Sequence, residues 1–364
     1  MKRQLATSPH APAFRNTLVA WLSLTLLTLA LCGKVLFSAD QILGAPNTDM
    51  AQQFIAWRYL GFAELAAGRL TLWNPHIFAG APYFGGFQAA LLYPLNWLLF
   101  LTLETRSAIN ASVALHCLLM GGFTYHWLRH SNISLFAALM AGALAMLGGT
   151  YVTHIYAGHL PNLCAMVWFP LMLRAVDGML PTLADPCSAL RQRVLSMLLG
   201  ATAVAMQVLA GHPQYVLISA IAIGGYVLVR GWSTASTLQT ILWSAGMGLL
   251  GGALAAVQLL PGIEAGSETV RNRPLQESFA AMFSLPVENL LTLVLPHVLG
   301  SVQYSPYFGR WYFWEMCMYV GWGAVLLGLL GACRANMGVR EINTMAGQRL
   351  ALLSMCVLAL LIAL

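Results

Sequence analysis

Two short turns place a histidine directly behind a glycine: "YAGHLPN" at residues 156–162 and "LAGHPQYV" at residues 209–216. Each lies between apolar runs, and together they offer His159, His212 and the Gln214 amide as polar groups. An imidazole changes charge near neutral pH and works as acid, base or ligand. A plain connecting turn is the competing reading, because Gly and Pro punctuate helices generally. A carboxylate to work with them is available in "NTDMAQQFIAWRYLGFAELAAGRL", residues 47–70. That stretch reads as a helix lying on the membrane surface: Asn47 or Thr48 caps it, Asp49 falls in its first turn and Gly68 stops it. Asp49 is then either a first-turn acid favoured by the helix dipole or a general base for a substrate hydroxyl.

The next stretch, "GRLTLWNPHIFAGAPYFGGFQAALLYP" at residues 68–94, has hardly a charge. Its Asn-Pro, Gly-Ala-Pro and Gly-Gly steps fix a compact irregular loop. Tyr83 and Phe87 suit an aromatic belt at the headgroups. His76 suits that belt as well, whereas Trp73, Asn74 and Gln88 are harder to explain by it, and all four are candidates for binding a substrate. Further along, "LLPGIEAGSETVRNRP" brings Glu264, Glu268 and Arg271 to one face if it is helical. Arg271 and Arg273, or Arg58, present guanidinium groups that match a phosphate; a solvated Glu268–Arg271 pair is the alternative. His116, in the middle of an apolar run, reads as a neutral histidine bonded to a neighbouring helix rather than a proton relay. Seven scattered cysteines show no metal-ligand spacing.

These groups must be held by membrane helices. Only 8% of the 364 residues are charged, 59% are hydrophobic and the mean hydropathy is +0.71, which excludes a water-soluble globule. The net charge of +6 comes without a Lys/Arg cluster and does not suggest nucleic acid. Apolar segments fall near 17–37, 87–103, 107–128, 133–156, 160–176, 194–210, 214–230, 238–260, 314–333 and 349–364. If 87–103 crossed, Arg129, Arg174, Arg191, Arg193, Arg230 and Arg349 would face outward, against the positive-inside rule. If it dips in and returns, as Pro94 and Asn96 suggest, those arginines become cytoplasmic. The expectation is an all-α bundle of nine spans with the N-terminus inside. It forms a single transmembrane domain over 1–364, with external loops at 38–106 and 261–313. Asp49, Glu264, His76, His154, His159, His212 and His297 then share the outer face, with Glu315 at its boundary.

The stretches "NTDMAQQFIAWRYL", "GRLTLWNPHIFAGAP", "GFQAALLYP", "AGHPQYV", "LLPGIEAGSETVR" and "LPVENLLTLVLPHVLG" occur in order over roughly residues 45–300. Together they resemble the YfhO-type bacterial membrane proteins, within the GT-C class of glycosyltransferases. The resemblance implies a helical bundle whose large first external loop carries the catalytic base, here Asp49. It also implies a polyprenyl-phosphate-linked sugar as donor and transfer to a glycan, lipid or protein acceptor on the outer face of the cytoplasmic membrane. Such proteins continue with further spans, whereas this chain ends inside an apolar run at Leu364, so truncation is one reading. Several external acids admit a divalent metal, although no ligand spacing points to one. A transporter or flippase would keep its polar site near the midplane. A non-catalytic partner in envelope glycan assembly is the third reading.

Overall fold

The computed structural model describes residues 10–181, 185–269, 272, 276, 279, 281–303, 305–333 and 342–363. It is mostly helical; the described β structure is one two-residue ladder, Trp73–Asn74 against Ala81–Pro82. Five helices are long and apolar enough to cross a membrane: Arg15–Leu36 within α1 (His10–Leu36), α4 (Thr105–His130), Leu135–Ala157, α9 (Pro186–Leu209) and α10 (Pro213–Ser233). The third of these comprises α5 (Leu135–Leu147) and α6 (Gly149–Ala157). A sixth candidate is the pair α11 (Thr237–Leu254) and α12 (Ala256–Ser267), bent by 79° at Ala255. The remaining expected crossings fall outside this set. Residues 160–176 form α7 (Leu160–Met166) and α8 (Phe169–Met179), each with a proline in its first turn. The C-terminal ones include α13 (Phe313–Met316), α14 (Trp322–Cys333) and α15 (Ile342–Ala363).

Small residues let the helices approach. A Cβ on Gly142 of α5 would lie 2.6 Å from the Gly121 carbonyl oxygen of α4, the kind of close backbone contact that holds membrane helices together. Leu160, Leu163, Ala165, Val167 and Val176 are fully buried, so α7 and α8 form the centre of the bundle. Leucines 18, 22 and 26 of α1 and 242 and 249 of α11 are exposed and face outward, as lipid-contacting side chains do.

The segment 87–103 is not among the helices long and apolar enough to cross. It runs irregularly to Tyr93 and then forms α3 (Pro94–Phe100), which at about 1.5 Å per residue is far shorter than about 30 Å of hydrocarbon. Asn96 is buried and donates to the Ala90 carbonyl, and Trp97 donates to that of Leu91, folding the segment back on itself. The stretch between α1 and α4 packs into the bundle, with the fully buried Tyr93 reaching His116 of α4. Within it α2 (Ile55–Ala66) follows a π-helical turn, Met50–Phe54. The second expected loop starts later than 261, because α12 stays helical to Ser267 and packs on the turn at Phe84–Gly86.

Candidate functional site

The first glycine–histidine turn is shaped by two demands on Gly158. Its φ of +74° ends α6 in a Schellman motif, with Gly158 N–H donating to Ile155 and His159 N–H to His154. A Cβ there would also lie 2.6 Å from the Met50 nitrogen. Only glycine meets both conditions, and the result presses His159 against the start of the 49–66 helix. His159 Nε2 stands 3.5 Å from Asp49 Oδ2. The Asp49 carboxylate makes no capping hydrogen bond and its side chain is 55% exposed. Its carboxylate is therefore not engaged as a cap and is open to the solvent side of the turn.

Glu315 approaches from the other side. Its Oε1 lies 3.6 Å from His159 Nδ1, so one imidazole sits between two carboxylates. The short helix α13 is held by "LPVENLLTL": Asn289 Nδ2 donates to the Met316 carbonyl and Met318 N–H donates to Thr292 Oγ1. Burial pushes the Glu315 carboxyl above its usual range and neighbouring Asp49 adds to this, while His159 pulls it back.

The second turn packs likewise. Gly211, at φ +91°, would place a Cβ 2.4 Å from the Phe87 carbonyl oxygen. His212 then caps α10, its Nδ1 accepting from Tyr215 N–H at 3.3 Å. Burial, with a smaller contribution from His159, pushes His212 down to about 4. Gln88, whose Oε1 accepts from Gln53, completes this rim.

Asp49, His159, His212, Gln88 and Gln214 thus line one open cavity of about 370 Å³, joined by residues the sequence reading had not selected: His154, Asn162, Tyr215 and Glu315. Among the described residues the buried Oδ1 of Asn162 has no hydrogen-bond partner, while the His154 ring is paired with the Thr150 backbone. Gln214 and Ile218 also border a second, mainly apolar groove of about 330 Å³ between α10 and α15, lined by Ile221, Met355 and Leu358. Gln214 and Ile218 thus stand between the polar cavity and the apolar groove. Only the pairing of His154 with His159 five residues on, across a glycine, was a usable sequence signal for the additional ligating groups.

Other expected site residues lie elsewhere. Arg58 is fully buried and donates to the carbonyls of Gln88 and Ala89, with its guanidinium 5.9 Å from the Phe100 ring centre. It positions the loop and is not open to a phosphate. Trp73 is half exposed and lies over Gly80. Asn74 is buried because its Oδ1 accepts from His76 N–H, closing a turn. His76 and Glu264 are exposed and do not line the cavity. Arg271 and Arg273 lie outside the described residues, so the helical face proposed for them with Glu264 and Glu268 is limited to a helix ending at Ser267. His116 is fully buried and satisfied: Tyr93 Oη stands 2.8 Å from Nε2 and the Ser112 carbonyl 2.7 Å from Nδ1.

A scan against protein-family models and comparisons with curated proteins and solved structures gave no match.

Proposed function

We propose that this chain is a membrane glycosyltransferase of GT-C type, acting on the outer face of the bacterial cytoplasmic membrane with nine spans and its N-terminus inside. The observation that supports it is the junction of two environments. A polar cavity holding Asp49, His159 and Glu315 adjoins an apolar groove, and Gln214 and Ile218 line both. That shape suits an amphipathic donor, with a sugar at the cavity and a polyprenyl chain along α10 and α15.

In the reaction, the acceptor oxygen bonds to the anomeric carbon of the sugar. The bond from that carbon to the phosphate oxygen breaks, and the lipid phosphate leaves with the electron pair. The hydroxyl proton passes to Asp49, whose carboxylate is exposed to the cavity and supported by His159 at 3.5 Å. A positioned general base contributes about 10²–10⁴ in rate. Gln88, Gln214 and Asn162 offer hydrogen bonds to sugar hydroxyls from the cavity wall.

The test is direct. Purified protein incubated with a panel of polyprenyl-phosphate sugars and candidate acceptors should release lipid phosphate with at least one donor. Substrate-dependent movement of a lipid across a vesicle bilayer, with no sugar transfer to any acceptor, would favour a flippase and overturn the assignment.

A further inference from the structure

We propose that His154, His159 and Glu315 bind a divalent transition-metal ion of the zinc type, with Asp49 orienting His159 from behind. One donor atom from each of the three residues lies within 4.8 Å of the others. Bonds of about 2.0–2.2 Å put two ligands of one ion at most about 4.4 Å apart, so small side-chain rotations suffice. His159 Nδ1 and Glu315 Oε1 already stand at 3.6 Å.

An independent observation points to a ligand. Asn162 is 5% exposed, and its buried Oδ1 has no hydrogen-bond partner among the described residues. Buried polar atoms are nearly always satisfied, and an exception calls for an occupant. Asn162 lines the same cavity, and its Oδ1 is an acceptor for metal-bound water.

The two nitrogens of His159 make the arrangement specific. With Nδ1 bound to the ion, Nε2 carries the proton and points to Asp49 Oδ2 at 3.5 Å. A metal-bound histidine commonly donates its other N–H to a carboxylate, which fixes the ring and strengthens the ligand. The donor set decides the class of ion. Two imidazoles and one carboxylate suit Zn²⁺, Co²⁺ or Ni²⁺, whereas Mg²⁺ and Ca²⁺ take oxygen ligands. Three protein ligands beside an open cavity leave a coordination position for water or a substrate oxygen. The proposal concerns the cavity but does not rest on the glycosyltransfer reading, because metal binding is measured without substrate.

The experiment titrates EDTA-stripped, full-length protein in detergent with Co²⁺ and with Mg²⁺, reading visible absorption and bound metal by elemental analysis. The expected result is about one Co²⁺ per chain with the intense bands of low coordination number, and no Mg²⁺ at the same concentration. Glu315→Gln and His154→Gln should each weaken Co²⁺ binding by at least about tenfold, and Asp49→Asn by about 10–100-fold. Three results would overturn the site: wild-type protein that binds no Co²⁺, Mg²⁺ bound equally well, or unchanged Co²⁺ affinity in the Glu315→Gln, His154→Gln double variant. The wild-type titration decides the matter even if a variant fails to fold.

Discussion

Gly68 and Gly158 make a matched pair for a single-methyl test. Both end helices in Schellman motifs, with φ of +76° and +74°. A Cβ at Gly68 meets nothing within 4 Å, whereas at Gly158 it would lie 2.6 Å from the Met50 nitrogen and 3.0 Å from Thr48 Oγ1. Gly68→Ala therefore pays only for the left-handed backbone, about 1–2 kcal/mol. Gly158→Ala carries that cost plus an overpacking term of about 1–3 kcal/mol, since the obstructing atom is backbone. Relief requires residues 48–50 to withdraw by several tenths of an ångström. That moves Asp49 off His159, where the 3.5 Å separation is already at the limit of a hydrogen bond. A displacement approaching 1 Å costs on the order of 10²-fold in rate. The assays are thermal unfolding in detergent and release of lipid phosphate. Gly68→Ala should lose a little stability and keep its activity. Gly158→Ala should lose more of both. Equal effects of the two alanines on transfer would refute the claim that the Gly158 approach sets the site.

Three further outcomes follow from other residues. His212 has a folded pKa of about 4 against about 6.5 unfolded, so its contribution is present above pH 6.5 and lost as pH falls toward 4. The acid limb of stability should lose up to about 3 kcal/mol in that window, at 1.36 kcal/mol per unit, and His212→Asn, which keeps a cap, should flatten it in unfolding scans against pH. Arg58→Leu leaves the buried carbonyls of Gln88 and Ala89 without a donor, and should cost about 1–3 kcal/mol and expose the 84–93 loop to limited proteolysis. At the opposite end of the bundle, the buried Asp177 accepts from Trp127, Tyr226, Arg230 and Gln348. Asp177→Ala should cost about 3–5 kcal/mol in detergent unfolding, because it leaves the Arg230 charge buried without its carboxylate.

The polar turns were readable because glycine and proline have few uses in such a chain. Gly158 and Gly211 marked the turns that set His159 and His212 beside the cavity, and Pro94 marked the start of a helix only seven residues long within 87–103. Arg58 was not readable as buried, since its helix is apolar nearly all round and gives no inward face to recognise. Asn74 looked like a substrate ligand, yet local turn chemistry consumed its side chain. Glu315 reaches the cavity through a tertiary contact between α13 and α6, where Thr153 Oγ1 donates to the Trp314 carbonyl across 161 positions. No local pattern encodes such a contact. The 79° break at Ala255 lies between Gly251–Gly252 and Pro261, and α12 beyond it packs on the 84–87 turn.

Under the proposed function Asp49 is the base of a transfer reaction in the cavity it lines. Asp49→Asn tests it most directly, because Asn matches the carboxylate in size and caps a helix about as well while lacking its basicity. Released lipid phosphate should be measured for wild type and variant with a confirmed donor, alongside their unfolding midpoints. The account predicts unchanged midpoints and a loss on the order of 10²-fold or more in transfer. Transfer by Asp49→Asn at the wild-type rate would contradict it.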